Sequence, residues 1–134
     1  MRIFISVIAF TILAACTSED ETVAAYGGDI HTWRLTELDG VEITYATRMT
    51  FAHQGSVDGE GPCNPFTATQ RSPYPWFELD PFISVDDFCS KLDQETEFFD
   101  ALQAMSVSEV VGDTMILSND AGREMVFKAT SGDV

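Results

Sequence analysis

The chain has 134 residues, with 22 acidic against 7 basic side chains for a formal net charge of −15, and 10 Phe within a hydrophobic share of 45%. That length suits one small domain, and the aromatic content suits a packed core or an apolar pocket. The acidic balance repels phosphate backbones and anionic headgroups, which excludes nucleic acid as a partner and leaves no basic amphipathic helix to hold a membrane.

Met1-Arg2 is a minimal positive start, and Ile3 to Leu13 is almost wholly apolar. The run to Ala15 is shorter than the roughly 20 residues a bilayer span needs and has the length of a signal-peptide core. It ends in Leu13-Ala14-Ala15-Cys16, which resembles the bacterial lipobox: small residues for the peptidase, then a thiol that is diacylated before cleavage. Residues 1–15 are read as a cleavable signal and Cys16 as the lipidation site through which the protein meets the membrane. The plainer alternative is an ordinary Ala-x-Ala signal with Cys16 as a bystander. Two or three acyl chains anchor stably where one does not. Thr17 and Ser18 resemble outer-membrane sorting, so the expected location is the bacterial envelope, lipid-anchored and facing the periplasm, at the outer membrane.

Residues 16–29 are polar, acidic and small, and read as a flexible tether. The folded domain is expected over residues 30–130. Trp33 to Leu38 is strand-like and ends at Asp39-Gly40, with a short second strand over Val41 to Tyr45. Arg48 to His53 and Ser56 to Gly59 flank a Gly turn and read as a hairpin. Gly59-Glu60-Gly61-Pro62 forces a loop before Cys63. Phe66 to Gln70 is a further strand, and Trp76 to Leu79 and Phe82 to Val85 are two short strand candidates. From Leu92 to Met105, Phe98, Leu102 and Met105 fall on one helical face, with Ser90 or Asp93 as cap and Glu95 and Glu97 at the positive end of the helix dipole. Val107 to Val111, Thr114 to Leu117 and Arg123 to Phe127 read as a meander joined by turn residues.

Cys63 and Cys89 remain once Cys16 is assigned. An even pair in an exported chain is expected to form a disulfide, the alternative being two buried thiols acting as small hydrophobes. Two Cys with only His31 and His53 do not make zinc-ligand spacing, so no metal and no cofactor is expected. Both His are read as plain surface residues. No nucleophile elbow, phosphate-cradling loop or Cys-x-x-Cys motif is present, and the chain is read as not an enzyme.

Trp33-Arg34-Leu35 with Leu38 and Gly40, then Gly59-x-Gly61-Pro62-Cys63-Asn64-x-Phe66, then Phe88-Cys89 before a helix with Phe99 and Leu102, resembles the META domain family, which includes the HslJ-like heat-shock lipoproteins. Met115-Ile116-Leu117 and Met125-Val126-Phe127 also fit. The family usually has Gly where Pro62 stands and Thr where Val85 stands. The resemblance implies a mostly β, α+β fold: an antiparallel sheet curled into an open barrel, with one covering helix. It also implies a non-enzymatic envelope lipoprotein, a stress-related accessory to binding or assembly with an envelope protein as partner. The family's likeness to the cracked barrel of secretin-pilot lipoproteins gives the alternative, a carrier or shield for an apolar ligand such as a lipid or acyl chain. The candidate contact surface is a single rim near the disulfide, made by Gly59 to Asn64 and the loop of Pro73, Tyr74, Pro75 and Trp76. Rigid Pro-rich loops with Tyr and Trp make good anchors; the competing reading places Trp76 in the core.

Overall fold

The computed structural model describes residues 19–130, so residues 1–15, read as a signal, and Cys16 lie outside the described residues. Nine strands and one helix follow in chain order: β1 (Trp33–Leu38), β2 (Val41–Glu42), β3 (Arg48–Phe51), β4 (Ser56–Glu60), β5 (Pro65–Thr69), β6 (Phe82–Ser84), α1 (Leu92–Ala104), β7 (Val107–Val111), β8 (Thr114–Ser118) and β9 (Glu124–Ala129). They form one sheet in the order β6-β5-β4-β3-β1-β9-β8-β7, with β2 added to β1. Every pairing is antiparallel. The sheet curls into a half-barrel, and α1 packs Phe98, Phe99 and Leu102 into its concave face. The Phe66 ring meets those of Phe98 and Phe99 at 6.2 and 5.4 Å.

Period-two patterning explains which side faces in. Val57, Phe66, Ala68, Met115, Leu117, Met125 and Phe127 are buried, each flanked by more exposed neighbours. β1 breaks the alternation: Trp33 and Leu35 point inward, and then Leu38 does. The register shift between Leu35 and Glu37 against β9 supplies the extra residue that moves Glu37 outward and Leu38 inward. Asp39 and Gly40, both at positive φ (51° and 79°), close the β1–β2 turn. The Glu124 N–H and the Arg123 guanidinium both bond the Asp39 carboxylate and hold its pKa below the usual value.

Several expectations are corrected. The stretch read as a flexible tether is packed from Glu21 onward. Val23 and Ala24 are fully buried, Tyr74 N–H donates to Glu21 O at 2.7 Å, and the Trp33 indole N–H donates to Gly28 O at 2.8 Å. Two 3-10 turns, Val23–Tyr26 and Gly28–Ile30, carry the buried Val23 and Ala24 and the Gly28 acceptor. The second strand ends at Glu42, because the loop after it bends back along β1, where Leu35 N–H donates to Thr47 Oγ1 at 2.9 Å. Trp76 to Leu79 is a strap rather than a strand; Trp76 alone bridges, to Val107. Pro75 and Pro81 remove main-chain donors on either side. Neither Ser90 nor Asp93 caps α1: Lys91 holds the N-cap position without a side-chain bond.

Candidate functional site

The expected Cys63–Cys89 disulfide is present, with Cα atoms 5.9 Å apart across a separation of 26 residues. It sits beside a clasp centred on Glu95, a carboxylate only 3% exposed. Cys63 N–H and Asn64 N–H donate to Glu95 Oε2 at 2.7 and 2.6 Å, and Asn64 Nδ2 donates to Oε1 at 2.6 Å. Asn64 Nδ2 also reaches Asp87 O at 3.2 Å. Bonds of this length are well formed. Gly61 has to be Gly here: a Cβ would come within 2.8 Å of Glu95 Oε2 and 2.9 Å of the Phe99 ring. The Gly61-Pro62-Cys63-Asn64 element is therefore a half-buried knot, with Asn64 fully inside it, that ties the β4–β5 loop to α1. Asn64, expected on a contact surface, is buried and spends its amide inside this knot.

The expected single rim is two separate places. Gly61 to Asn64 follow β4 at the Glu60↔Pro65 end of the β4–β5 ladder, whereas the Pro73–Trp76 loop leaves from the Ser56↔Thr69 end. Five paired positions lie from one end to the other, about 13 Å of strand. At the far end Tyr74 is a clamp rather than a free anchor. Its ring stacks on Tyr26 at 4.5 Å, and its hydroxyl accepts the Val110 N–H at 3.2 Å. Trp76 is 59% exposed, which removes the reading that placed it in the core. Its backbone is held, the N–H by Pro73 O and the C=O by Gln70 Nε2.

Sequence reasoning missed three residues near the disulfide. Ile83, Val85 and Phe88 are exposed by 61%, 51% and 90%. Ile83 is on β6, Val85 and Phe88 in the segment after it. Their signal was present: alternation puts Phe82 and Ile83 on opposite faces of one short strand, so one of the two had to face water.

The clefts among the described residues are open to solvent. One of about 600 Å³ is lined by Glu19, Asp20, Glu21, Thr22, Gln54, Arg71 and Pro73, and in it the Thr22 hydroxyl donates to Asp20 Oδ1 at 2.6 Å. His31 sits edge-on to Trp33 at 5.2 Å. No group of three or more His, Cys, Asp or Glu stands close enough to hold a metal ion among the described residues. No described helix is long and apolar enough to cross a membrane.

The META domain family model matches residues 29–132. Among solved structures, the fold is similar to an NMR structure of a protein from Burkholderia xenovorans, with a TM-score of 0.68 and 16% identity, covering 93% of this chain and all of that one. A second NMR structure gives 0.60 and 13% over 74% of this chain and 88% of that one. A crystal structure of a DUF4847 family protein from Bacteroides vulgatus gives 0.55 and 14% over 65% and 61% of the two chains. At these identities the likeness is one of fold. No curated protein matches significantly.

Proposed function

This chain belongs to the META domain family, and from that premise we propose that it is a non-enzymatic, lipid-anchored envelope protein, held by acyl chains on Cys16, which serves as a stress-related accessory by presenting a rigid surface to a protein partner. The observation that supports this reading is the filled interior. Trp33, Phe66, Phe98, Phe127, Met49, Leu102, Met115, Leu117 and Met125 are all essentially inaccessible to solvent. They occupy the space between sheet and helix that an acyl chain would need, which weighs against the carrier alternative. A packed interior also gives stiffness, since close-packed side chains deform little.

Two measurements test the reading. Cys16→Ser is expected to move the protein out of the membrane fraction or to leave an unprocessed precursor; unchanged fractionation and processing overturn the anchor. Native mass spectrometry of the isolated protein is expected to show no retained lipid beyond the covalent anchor. A stoichiometric non-covalent acyl ligand overturns the surface-presenting role in favour of carriage.

A further inference from the structure

The two edges of the sheet are finished differently. β7 is covered by the strap: Ser108 N–H donates to Pro75 O at 2.7 Å, Val110 N–H donates to the Tyr74 hydroxyl at 3.2 Å, and Phe77 N–H donates to Ser106 O at 3.0 Å just before the strand. At the other end β6 pairs with β5 and, among the described residues, has no strand beyond it. Thr69 N–H donates to Pro81 O at 3.1 Å. By the alternation of an antiparallel ladder, Ile83 then also turns its main-chain groups toward β5, and those of Phe82 and Ser84 point away from the sheet.

The side chains along this edge are apolar and in water. Pro65, Thr67, Ile83 and Val85 line a shallow cleft of about 200 Å³, and the exposed Phe88 follows. Phe88 is fixed on both sides. The preceding carbonyl, Asp87 O, accepts the Asn64 amide, and the following residue, Cys89, is bonded to Cys63. An aromatic ring is thus held out by a backbone tied to the body, which lowers the entropy lost when something binds it. The surroundings are acidic. No Lys or Arg lies between Arg71 and Lys91, while Glu78, Asp80, Asp86 and Asp87 do, and the three Asp are exposed.

We propose that the β6 edge is a docking site for an extended, basic segment of a partner polypeptide. The segment adds to the sheet as a further strand, bonding the outward main-chain groups of Phe82 and Ser84. Its apolar side chains cover Ile83, Val85 and Phe88, and its Lys or Arg side chains face Asp80, Asp86 and Asp87. A second copy of this chain fits badly. A two-fold pairing that joins Phe82 of one copy to Ser84 of the other sets Asp80 opposite Asp86, and like charges directly opposite are destabilising. An anionic lipid surface meets the same repulsion. The proposal rests on the reading of the domain as one that presents a surface.

The test uses the full chain in phosphatidylcholine nanodiscs and a short fluorescent peptide that alternates Val and Lys. The peptide is expected to bind, and to bind more weakly as salt is raised. Ile83→Thr and Phe88→Ser, both at exposed positions and checked for an unchanged melting curve, are expected to weaken binding about tenfold. Val111→Ser, on the covered edge, is expected to leave it unchanged. A photo-crosslinker at position 88 is expected to join the peptide, and one at position 111 is not. A peptide with Glu in place of Lys, or one with alternate amides N-methylated, that binds equally well overturns the proposal. So does an unchanged affinity for Phe88→Ser, or a crosslinker at position 88 that captures lipid or a second copy. Those failures leave the surface-presenting reading standing; that reading falls on a stoichiometric acyl ligand instead.

Discussion

Tyr45 is buried against Phe98, their ring centroids 6.5 Å apart, and among the described residues its hydroxyl has no hydrogen-bond partner. Burial first, and the Glu97 charge second, push its pKa up from 10.0 to about 12. A raised folded pKa means that the contribution to stability is complete below the unfolded value and is lost as pH climbs through the folded one. Tyr45→Phe is therefore expected to stabilise the protein by about 1 kcal/mol at neutral pH, because it removes an unsatisfied buried group. It should also flatten the loss of stability between pH 10 and about 12; urea melts of both forms across that range check it, and a variant as alkali-sensitive as the parent contradicts the assignment. Glu95 is the opposite case, a buried polar group whose acceptors are well used. Glu95→Gln replaces an acceptor oxygen by a donor facing N–H groups, and is expected to cost about 2 kcal/mol in the same melts. The sequence placed Glu95 in the first turn of a helix and assigned it to the helix dipole. Its actual partners, Cys63 and Asn64, lie 32 and 31 residues away, and no local pattern reports a bond of that span.

Elements with a clean period were legible. β1, β7 and α1 fall within a residue of their expected bounds, because alternation or a helical stripe identifies them without tertiary help. The failures have one physical cause. In Ile43 to Tyr45, beyond the end of β2, and in Trp76 to Leu79 the chain is partly apolar but bonds singly to Thr36 or Ser106 instead of continuing a ladder. Propensity sees the extension and not the absent partner. The contact rim failed for a related reason: Cys63 and Trp76 are near in sequence, yet β5 runs between them and carries their loops to opposite ends. The disulfide was legible from cysteine count and the expected compartment, and it joins the β4–β5 loop to the segment before α1. Cys63→Ala with Cys89→Ala is expected to lower stability by about 3–4 kcal/mol, the chain-entropy value for a loop of this length. Hydrogen exchange should show that loss at the slowest core amides of the sheet, which open only with the whole fold, and a further local loss at Asp86 to Leu92, since Glu95 still holds the Cys63 side of the bridge. Core amides that keep their protection would mean that the bridge holds this segment alone and not the fold.

On the scale of the whole molecule, the half-barrel has an opening that helix and strap alone do not fill. The acidic run after Cys16 looked like tether because its composition is polar and small, and composition records neither Val23 nor Ala24 as a plug. The plug is visible only once the sheet has curled and the Pro73–Trp76 loop has brought Tyr74 under Tyr26 and Glu21. The family match begins at residue 29, so the first 3-10 turn, Val23–Tyr26, lies before the matched range while its Val23 and Ala24 are part of the core. Their contribution is measurable by shortening. A chain cut to begin at Ile30 loses the burial of Val23, worth about 1.5–3 kcal/mol, and leaves the Trp33 indole N–H without Gly28 O, worth about 1–3 kcal/mol more. A chain cut to begin at Gly28 keeps the acceptor and loses the plug together with the Tyr26 and Glu21 contacts to Tyr74. Thermal melts are therefore expected to rank the chain beginning at Glu19 above that beginning at Gly28, and that above Ile30, with trypsin cutting at Arg34 fastest in the last. If all three melt together, the turns lie on the domain without supporting it, and the segment before Ile30 is a tether after all.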